Sequence, residues 1–144
     1  MKEKLLVSAC LLGRNCKYSG GNNYSAAVEA LGERFELIPV CPEQLGGLPT
    51  PRVPSERAGD RVLARDGTDV TDAFRLGAER TLEIARAHGV RRAVFQDRSP
   101  SCGCGVIYDG TFSGTLVPGD GVTAELLRKS GIEITAGSRP DLPG

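Results

Sequence analysis

The 144-residue sequence is poor in the residues that mark several common classes of protein. It contains no tryptophan, three tyrosines and four phenylalanines, so stacking platforms for nucleic-acid bases are scarce. Its 18 lysines and arginines are balanced by 18 aspartates and glutamates. It therefore lacks the excess of positive charge that binds phosphate backbones. Together these shortages argue against a large RNA or DNA as the partner.

Long apolar runs and a paired set of cysteines are also missing. The apolar residues 5–12 lie between charged residues and Gly13, and they fall far short of the roughly 20 that span a bilayer. They predict a buried strand rather than a signal peptide, and we expect a cytoplasmic protein. Five cysteines are an odd number, which disfavours a disulfide framework. In a reducing compartment they would be thiols or metal ligands.

Periodicity and turn residues predict alternating strands and helices. Strands are expected over residues 4–9, 35–40, 61–65, 92–96 and 132–136, and helices over residues 24–31, 71–88 and 121–130. Thr71 is the expected N-cap of the long helix, and Gly89 its left-handed C-cap. The dipeptide Asp66-Gly67 predicts a hairpin turn. The order predicts a single α/β domain with a Rossmann-like, open, mostly parallel sheet and helices on both faces.

Two segments carry no predicted element. Residues 42–57 are rich in glycine and proline, and a loop of this length in a small domain is usually functional or disordered. Residues after about 137 are expected to form a flexible tail of the single domain 1–144. Neither a Walker loop nor the GxGxxG dinucleotide fingerprint is present, which argues against those two modes of nucleotide binding.

Cysteines follow three of the predicted strands. Cys10 and Cys41 lie at the ends of the first two, and Cys102 and Cys104 occupy the loop after a third. The carboxyl ends of parallel strands share one edge of a sheet, which is where ligands bind. We therefore expect cysteines that are distant in sequence to meet in space.

Three chemistries compete for these cysteines. A single cysteine is most often a small buried hydrophobe, but core packing would not need the glycines and prolines beside these. Structural zinc needs four ligands, and only Cys102 and Cys104 are closely spaced, while the one histidine, His88, ends a predicted helix. An iron–sulfur cluster fits better, because three thiolates would leave one iron open to a substrate.

Several polar residues near the cysteines are candidates for chemistry. Glu43 follows Cys41 by two residues, and a carboxylate beside a metal centre can transfer protons. Ser99 and Ser101 flank Pro100, so their hydroxyls either bind substrate or make a turn. A local basic patch would come from four arginines, Arg52, Arg57, Arg61 and Arg65; this patch keeps a thiolated tRNA open as a partner.

Three separated blocks resemble one known family, in order. They are Ser8-Ala9-Cys10-Leu11-Leu12-Gly13, then Cys41-Pro42-Glu43 with Gly46-Gly47-Leu48-Pro49-Thr50-Pro51-Arg52, then Ser99-Pro100-Ser101-Cys102-Gly103. The chain is similar over nearly its whole length to the small bacterial domains that include the 2-thiouracil desulfidases and related thiouridine-desulfurising proteins.

The resemblance implies an enzyme that removes sulfur from a thiolated pyrimidine, such as 2-thiouracil, without net electron transfer. It implies a 4Fe-4S cluster whose fourth iron is free to take the sulfur of the substrate. The residues that it implies are three cluster ligands, an acid/base and an assisting serine: Cys10, Cys41, Cys102, Glu43, and Ser99 in preference to Ser101.

Two departures from the family pattern leave the substrate open among a free base, a nucleoside and a modified tRNA. Lys17-Tyr18-Ser19-Gly20 stands where the family usually has Arg-Tyr-Asp-Gly, and Gln96-Asp97-Arg98 stands where a lysine often precedes the serine block. The other functions that stay open are a non-catalytic iron–sulfur carrier or sensor, a zinc-stabilised binding module, and a binding domain that has lost activity.

Overall fold

The computed structural model describes residues 2–140 and residue 142. Its strands are β1 (Glu3–Ser8), β2 (Phe35–Val40), β3 (Ser55–Ala58), β4 (Arg61–Ala64), β5 (Arg92–Phe95), β6 (Val106–Tyr108), β7 (Leu116–Pro118) and β8 (Glu133–Ala136). Its α-helices are α1 (Ala26–Ala30), α2 (Pro42–Leu45), α3 (Thr71–His88) and α4 (Val122–Lys129), and short 3₁₀ helices span Ala9–Leu12 and Leu31–Glu33.

The main sheet has four strands in the order β2-β1-β5-β8. Every neighbouring pair in it is parallel; Leu5 of β1, for example, lies between Leu37 of β2 and Arg92 of β5. The sequence-based prediction of an α/β fold with an open parallel sheet is therefore confirmed. All four strands end at the same edge, which is where the cysteines that follow three of the predicted strands were expected to meet.

Alternating side chains of β1 enter two separate cores. Leu5 and Val7 pack with Val28 of α1 on one face of the sheet. Leu6 packs with Leu82 of α3 and Leu127 of α4 on the other. Because side chains alternate across a strand, the unbroken apolar run of β1 buries both of its faces, which is typical of a central parallel strand. Helices therefore cover both faces of the sheet, as predicted.

The long helix begins differently from the prediction. Thr71 is its first residue, and Val70 takes the N-cap position. The Thr71 hydroxyl is buried and accepts a hydrogen bond from the backbone N–H of Val62, while the Asp69 side chain accepts the N–H of Thr71. The carboxylate of Asp69 thus satisfies one of the free N–H groups at the start of the helix, that of Thr71 itself. Gly89 does adopt the left-handed conformation that was expected, with φ of 66°.

Two antiparallel hairpins, β3–β4 and β6–β7, lie outside the main sheet. The predicted loop over residues 42–57 begins with α2 and ends inside β3, so β3 was missed, whereas β4 matches the strand predicted over residues 61–65. Ala58 pairs with Arg61 where that hairpin turns. The Asp66-Gly67 dipeptide forms a second tight turn, closed by a hydrogen bond from Ala64 N–H to the Thr68 carbonyl. The second hairpin was not predicted, because its strands are only three residues long.

Two glycines allow α2 to pack directly onto α3. A Cβ atom added to Gly77 would lie 2.0 Å from the carbonyl oxygen of Pro42, and one added to Gly46 would lie 2.0 Å from that of Ala73. The two backbones are therefore closer than any side chain would permit. This contact holds α2, and with it Glu43, at the carboxyl edge of the sheet.

Gly77→Ala tests this contact. We expect a loss of about 1–3 kcal/mol in the free energy of unfolding, because the new methyl group has no space against the Pro42 carbonyl. Urea denaturation measures it, and Glu79→Ala, at an exposed position of the same helix, is the control. A change below about 0.5 kcal/mol, the usual range for surface substitutions, would show that the contact is dispensable.

No helix in the described ranges has the length and apolar character needed to cross a membrane. The last described residues contact the rest of the domain: the Ser138 hydroxyl donates to the Asp97 carboxylate, and Leu142 is buried in the core around α1. The predicted flexible tail also includes residues 141, 143 and 144, which lie outside the described residues.

Candidate functional site

A cavity of about 590 Å³ lies at the carboxyl edge of the parallel sheet. Its walls include the three predicted cluster ligands, the predicted acid/base and one of the predicted serines: Cys10, Cys41, Cys102, Glu43 and Ser99. The structure thus brings together residues from three separate blocks of sequence, because β1, β2 and β5 end at the same edge.

Each cysteine reaches the cavity by a different local structure. Cys10 lies in the 3₁₀ helix that follows β1, and Cys41 is the N-cap of α2 directly after β2. Cys102 lies in a tight turn after β5, where the N–H of Gly103 donates to the Ser99 carbonyl. A Cβ atom on Gly103 would lie 2.6 Å from that carbonyl oxygen, so the turn requires glycine after the cysteine.

A fourth thiol, Cys16, also lines the cavity, and sequence reasoning did not include it. Its side chain interacts with those of both Cys10 and Cys41, and the Cys41 thiol donates to its carbonyl at 3.7 Å. Gly13, in the left-handed conformation, reverses the chain after the 3₁₀ helix and returns Cys16 to the site. The one signal in the sequence was its place directly before the Lys17-Tyr18-Ser19-Gly20 segment.

Hydrogen bonds from neighbouring groups favour the thiolate forms of two cysteines. The Cys16 thiol and the Asn23 amide lower the pKa of Cys10 to about 7. The same thiol, with the backbone N–H of Gln44, lowers the pKa of Cys41 to about 7. Its interactions with the Cys10 and Cys41 side chains, together with burial, raise the pKa of Cys16. Burial raises the pKa of Cys102 well above its usual range.

Glu43 and Arg52 form an ion pair in the wall of the cavity. Arg52 Nε donates to Glu43 Oε1 at 3.0 Å, and only 6% of the Arg52 side chain and 19% of the Glu43 side chain are exposed. Burial raises the pKa of Glu43, and the Arg52 charge partly offsets that effect. Arg52 also donates to the Cys16 carbonyl. It therefore anchors the carboxylate and the loop of the fourth cysteine rather than a free anion.

The two predicted serines have different surroundings. Ser99 lines the cavity, and its Oγ accepts the backbone N–H groups of Ser101 and Cys102 at 3.0 Å each. Ser101 is buried outside the cavity wall, where its hydroxyl bonds to that of Thr123 at 2.7 Å. Ser99 therefore faces the cavity, whereas Ser101 helps to hold the turn to α4.

The remaining cysteine and two of the four arginines of the predicted basic patch lie apart from the cavity wall. Cys104 contacts the guanidinium of Arg128 at 2.8 Å. Arg57 pairs with Glu125, and Arg61 pairs with Asp69. Of the four arginines in the proposed patch, Arg52 and Arg65 line the cavity and Arg52 is paired with Glu43. The patch therefore presents little uncompensated charge.

No three His, Cys, Asp or Glu side chains among residues 2–140 and 142 are placed to hold a single metal ion. A structural zinc site needs four ligands around one ion. The thiols instead line one cavity, which suits a polynuclear group whose metal atoms each take one thiolate.

Comparisons with known proteins agree with this geometry. The family model described as 2-thiouracil desulfurase matches residues 5–138. The uncharacterized protein YbbK of Bacillus subtilis (strain 168) is 38% identical over 140 residues, which cover 90% of this chain and 93% of that protein. The solved structure of the 4Fe-4S-dependent thiouracil desulfidase TudS is 45% identical in sequence and has a TM-score of 0.90. The match covers 96% of this chain and 93% of the TudS chain.

The family match extends from β1 to the residue pair after β8, so it takes in every strand that brings a cysteine to the cavity. The three blocks that carried the resemblance all lie within it. This chain therefore belongs to the 2-thiouracil desulfurase family.

Proposed function

We propose that this protein is a 4Fe-4S-dependent desulfidase that converts a thiolated pyrimidine, such as 2-thiouracil, into the oxo base. The observation that carries the proposal is the meeting of Cys10, Cys41 and Cys102 beside Glu43 at one cavity. The predicted enzyme class and cofactor agree with the family description and with the similar structure, TudS.

The donor set fits an iron–sulfur cluster. All five cysteines are free, and thiolates are the usual ligands of such clusters. We propose Cys10, Cys41 and Cys102 as the three ligands, because each comes from the end of a different strand. When bound, the cluster supplies a Lewis-acidic iron that accepts the sulfur of the substrate.

Glu43 is proposed as the acid/base. The overall reaction exchanges a C–S bond for a C–O bond and consumes one water, so protons must leave the attacking water and reach the departing sulfide. Arg52 holds Oε1 of Glu43, and within the described chain no hydrogen bond occupies Oε2. Oε2 is therefore free to take and return a proton. Arg52 fixes the carboxylate without consuming both of its oxygens.

Ser99 is proposed to assist by hydrogen bonding. Two backbone N–H groups donate to its Oγ, so the hydroxyl hydrogen is left to donate to another acceptor. A pyrimidine offers such acceptors at its ring nitrogens and exocyclic oxygen. Ser99 would thereby orient the base with respect to the thiols.

We propose that the substrate is a small molecule and that the protein works in a reducing compartment. Three of the four arginines that would attract a large RNA are already ion-paired. We propose the cytoplasm because free cysteines persist where thiols are kept reduced.

Anaerobic reconstitution tests the proposed function. The protein is purified without oxygen, loaded with iron and sulfide, and assayed with 2-thiouracil by the loss of thiocarbonyl absorbance. We expect about four irons per chain and conversion to uracil. A loaded cluster without turnover would favour a carrier or sensor. One zinc without iron or acid-labile sulfide, in the anaerobically prepared protein, would favour a zinc-stabilised module.

A further inference from the structure

The two hairpins outside the main sheet form a part of the cavity wall that carries none of the thiols. Ser55 and Glu56 of β3, Tyr108 of β6, and Phe112 in the turn between β6 and β7 all line the cavity. Resting on the proposed function, we propose that the ring of Phe112 is the surface against which the flat pyrimidine stacks. We further propose that Glu56 and Arg65 are positioning residues for that ring.

Glu56 fixes the backbone of the turn that carries Phe112. Its Oε1 accepts two backbone hydrogen bonds, from Gly110 at 3.0 Å and from Phe112 at 3.1 Å. Gly110 has a φ of 97°, and a Cβ atom there would lie 2.6 Å from the Cβ of Ala58. The turn of the second hairpin is thus pressed against the first and held there by one carboxylate oxygen.

Phe112 adopts a costly backbone conformation at the cavity. Its φ is 58°, in the left-handed region that bulky residues rarely enter. Such strain persists only where surrounding contacts impose it, and it is concentrated at ligand sites. The two hydrogen bonds to Glu56 are contacts of this kind. The conformation is consistent with a residue whose placement serves a ligand rather than stability.

The ring of Phe112 also has a contact that restrains it. The guanidinium carbon of Arg65 lies 5.4 Å from the ring centroid, within range of a cation–π interaction. Arg65 itself lines the cavity. A guanidinium on the ring restrains its rotation, so an aromatic surface is already ordered before a substrate arrives. Ordering a surface in advance lowers the entropic cost of binding.

The other two aromatic residues among the described parts of the cavity wall are less suited to this task. Tyr18 is 48% exposed, and Tyr108 lies within the strand β6. Neither has a cation on its ring among the described residues. Stacking of a base on an aromatic ring is worth about 1–3 kcal/mol and tolerates different bases. Phe112 can therefore supply affinity for the pyrimidine ring, while hydrogen-bonding groups determine which atom of that ring reacts.

Steady-state kinetics with the cluster-loaded enzyme and 2-thiouracil test the assignment. Phe112→Leu keeps an apolar side chain and removes the aromatic face, so we expect KM to rise about tenfold while kcat stays within about twofold. Phe112→Tyr should retain a wild-type KM. Leu116→Ala, at an exposed position of β7 outside the cavity, is the matched control.

Two substitutions of Glu56 separate a role in positioning Phe112 from a role in stability alone. Glu56→Gln keeps the Oε1 acceptor and should preserve KM, whereas Glu56→Ala should raise KM as Phe112→Leu does. Melting temperature and iron content, measured on every variant, separate a misplaced turn from a misfolded protein. If Glu56→Ala leaves KM unchanged, with or without a shift in melting temperature, the positioning role is overturned.

The wild-type enzyme distinguishes the two proposals. If the loaded wild type does not convert 2-thiouracil, the proposed function fails. If it does convert 2-thiouracil and Phe112→Leu has a KM within twofold of wild type, the function stands and the role of Phe112 is overturned. A fall in kcat at unchanged KM in Phe112→Leu would also overturn the role, since it would place the effect in the chemical step.

Discussion

Replacing Cys10, Cys41 or Cys102 by alanine should abolish both cluster binding and turnover. Each is proposed to supply one of three thiolates, and cubane clusters depend on every protein ligand. Substitutions that merely reorient a metal ligand cost about 10–100-fold in affinity or activity, so loss of a ligand should exceed about a hundredfold. Iron and sulfide counts, the visible spectrum and 2-thiouracil turnover are measured on protein reconstituted without oxygen.

Cys104→Ala is the matched control for those variants. Its thiol contacts Arg128 and lies outside the cavity wall, so iron content and turnover should stay close to wild type. Cys16→Ala tests the assignment of ligands, because Cys16 lies between Cys10 and Cys41. If Cys16→Ala loses its iron while one of the three proposed ligand variants keeps it, the ligand set is wrong.

Glu43→Gln should reduce kcat by about 10²–10⁴-fold, the usual contribution of a general acid or base. The amide keeps the shape of the carboxylate and an oxygen that accepts from Arg52 Nε, but it cannot exchange a proton with water or sulfide. KM and iron content should change little, because Glu43 is not a proposed ligand. Single-turnover and steady-state assays with 2-thiouracil measure the effect.

Glu125→Gln is the control for the loss of a paired carboxylate. Glu125 forms an ion pair with Arg57 at 3.1 Å, and it does not line the cavity. Its substitution should therefore leave kcat unchanged even if stability falls. A Glu43→Gln enzyme with wild-type kcat would exclude Glu43 as the proton-transfer group and would return the role to another residue of the cavity.

Local patterns in the sequence were sufficient for the parallel sheet and its cysteine-bearing edge. The apolar run of β1 predicts a strand that is buried on both faces, and α3 follows directly from its helical spacing. The edge then follows from topology, because parallel strands joined by crossovers end on one side. Topology alone therefore predicted that Cys10, Cys41 and the loop of Cys102 and Cys104 would meet, and the family resemblance selected Cys102 within that loop.

Local patterns were insufficient for β3 and for the second hairpin. β6 and β7 are three residues each, too short to show the alternation that marks a strand. Their position comes from contacts distant in sequence, such as the hydrogen bonds from the Phe112 turn to Glu56. No short stretch of the sequence contains both partners. Neither the turn held by Glu56 nor the placement of Phe112 in the cavity wall was therefore predicted.

The sequence by itself thus determined the fold class, the family and the edge of the sheet where the thiols gather. The tertiary structure decided that Cys16 lies between two other thiols, that Arg52 holds Glu43, and that Ser99 rather than Ser101 faces the cavity. The physical reason is the range of the forces involved. Periodicity reports the backbone and the burial of neighbouring residues, whereas a side chain's partner depends on where separate loops cross, and only the folded chain brings those loops together.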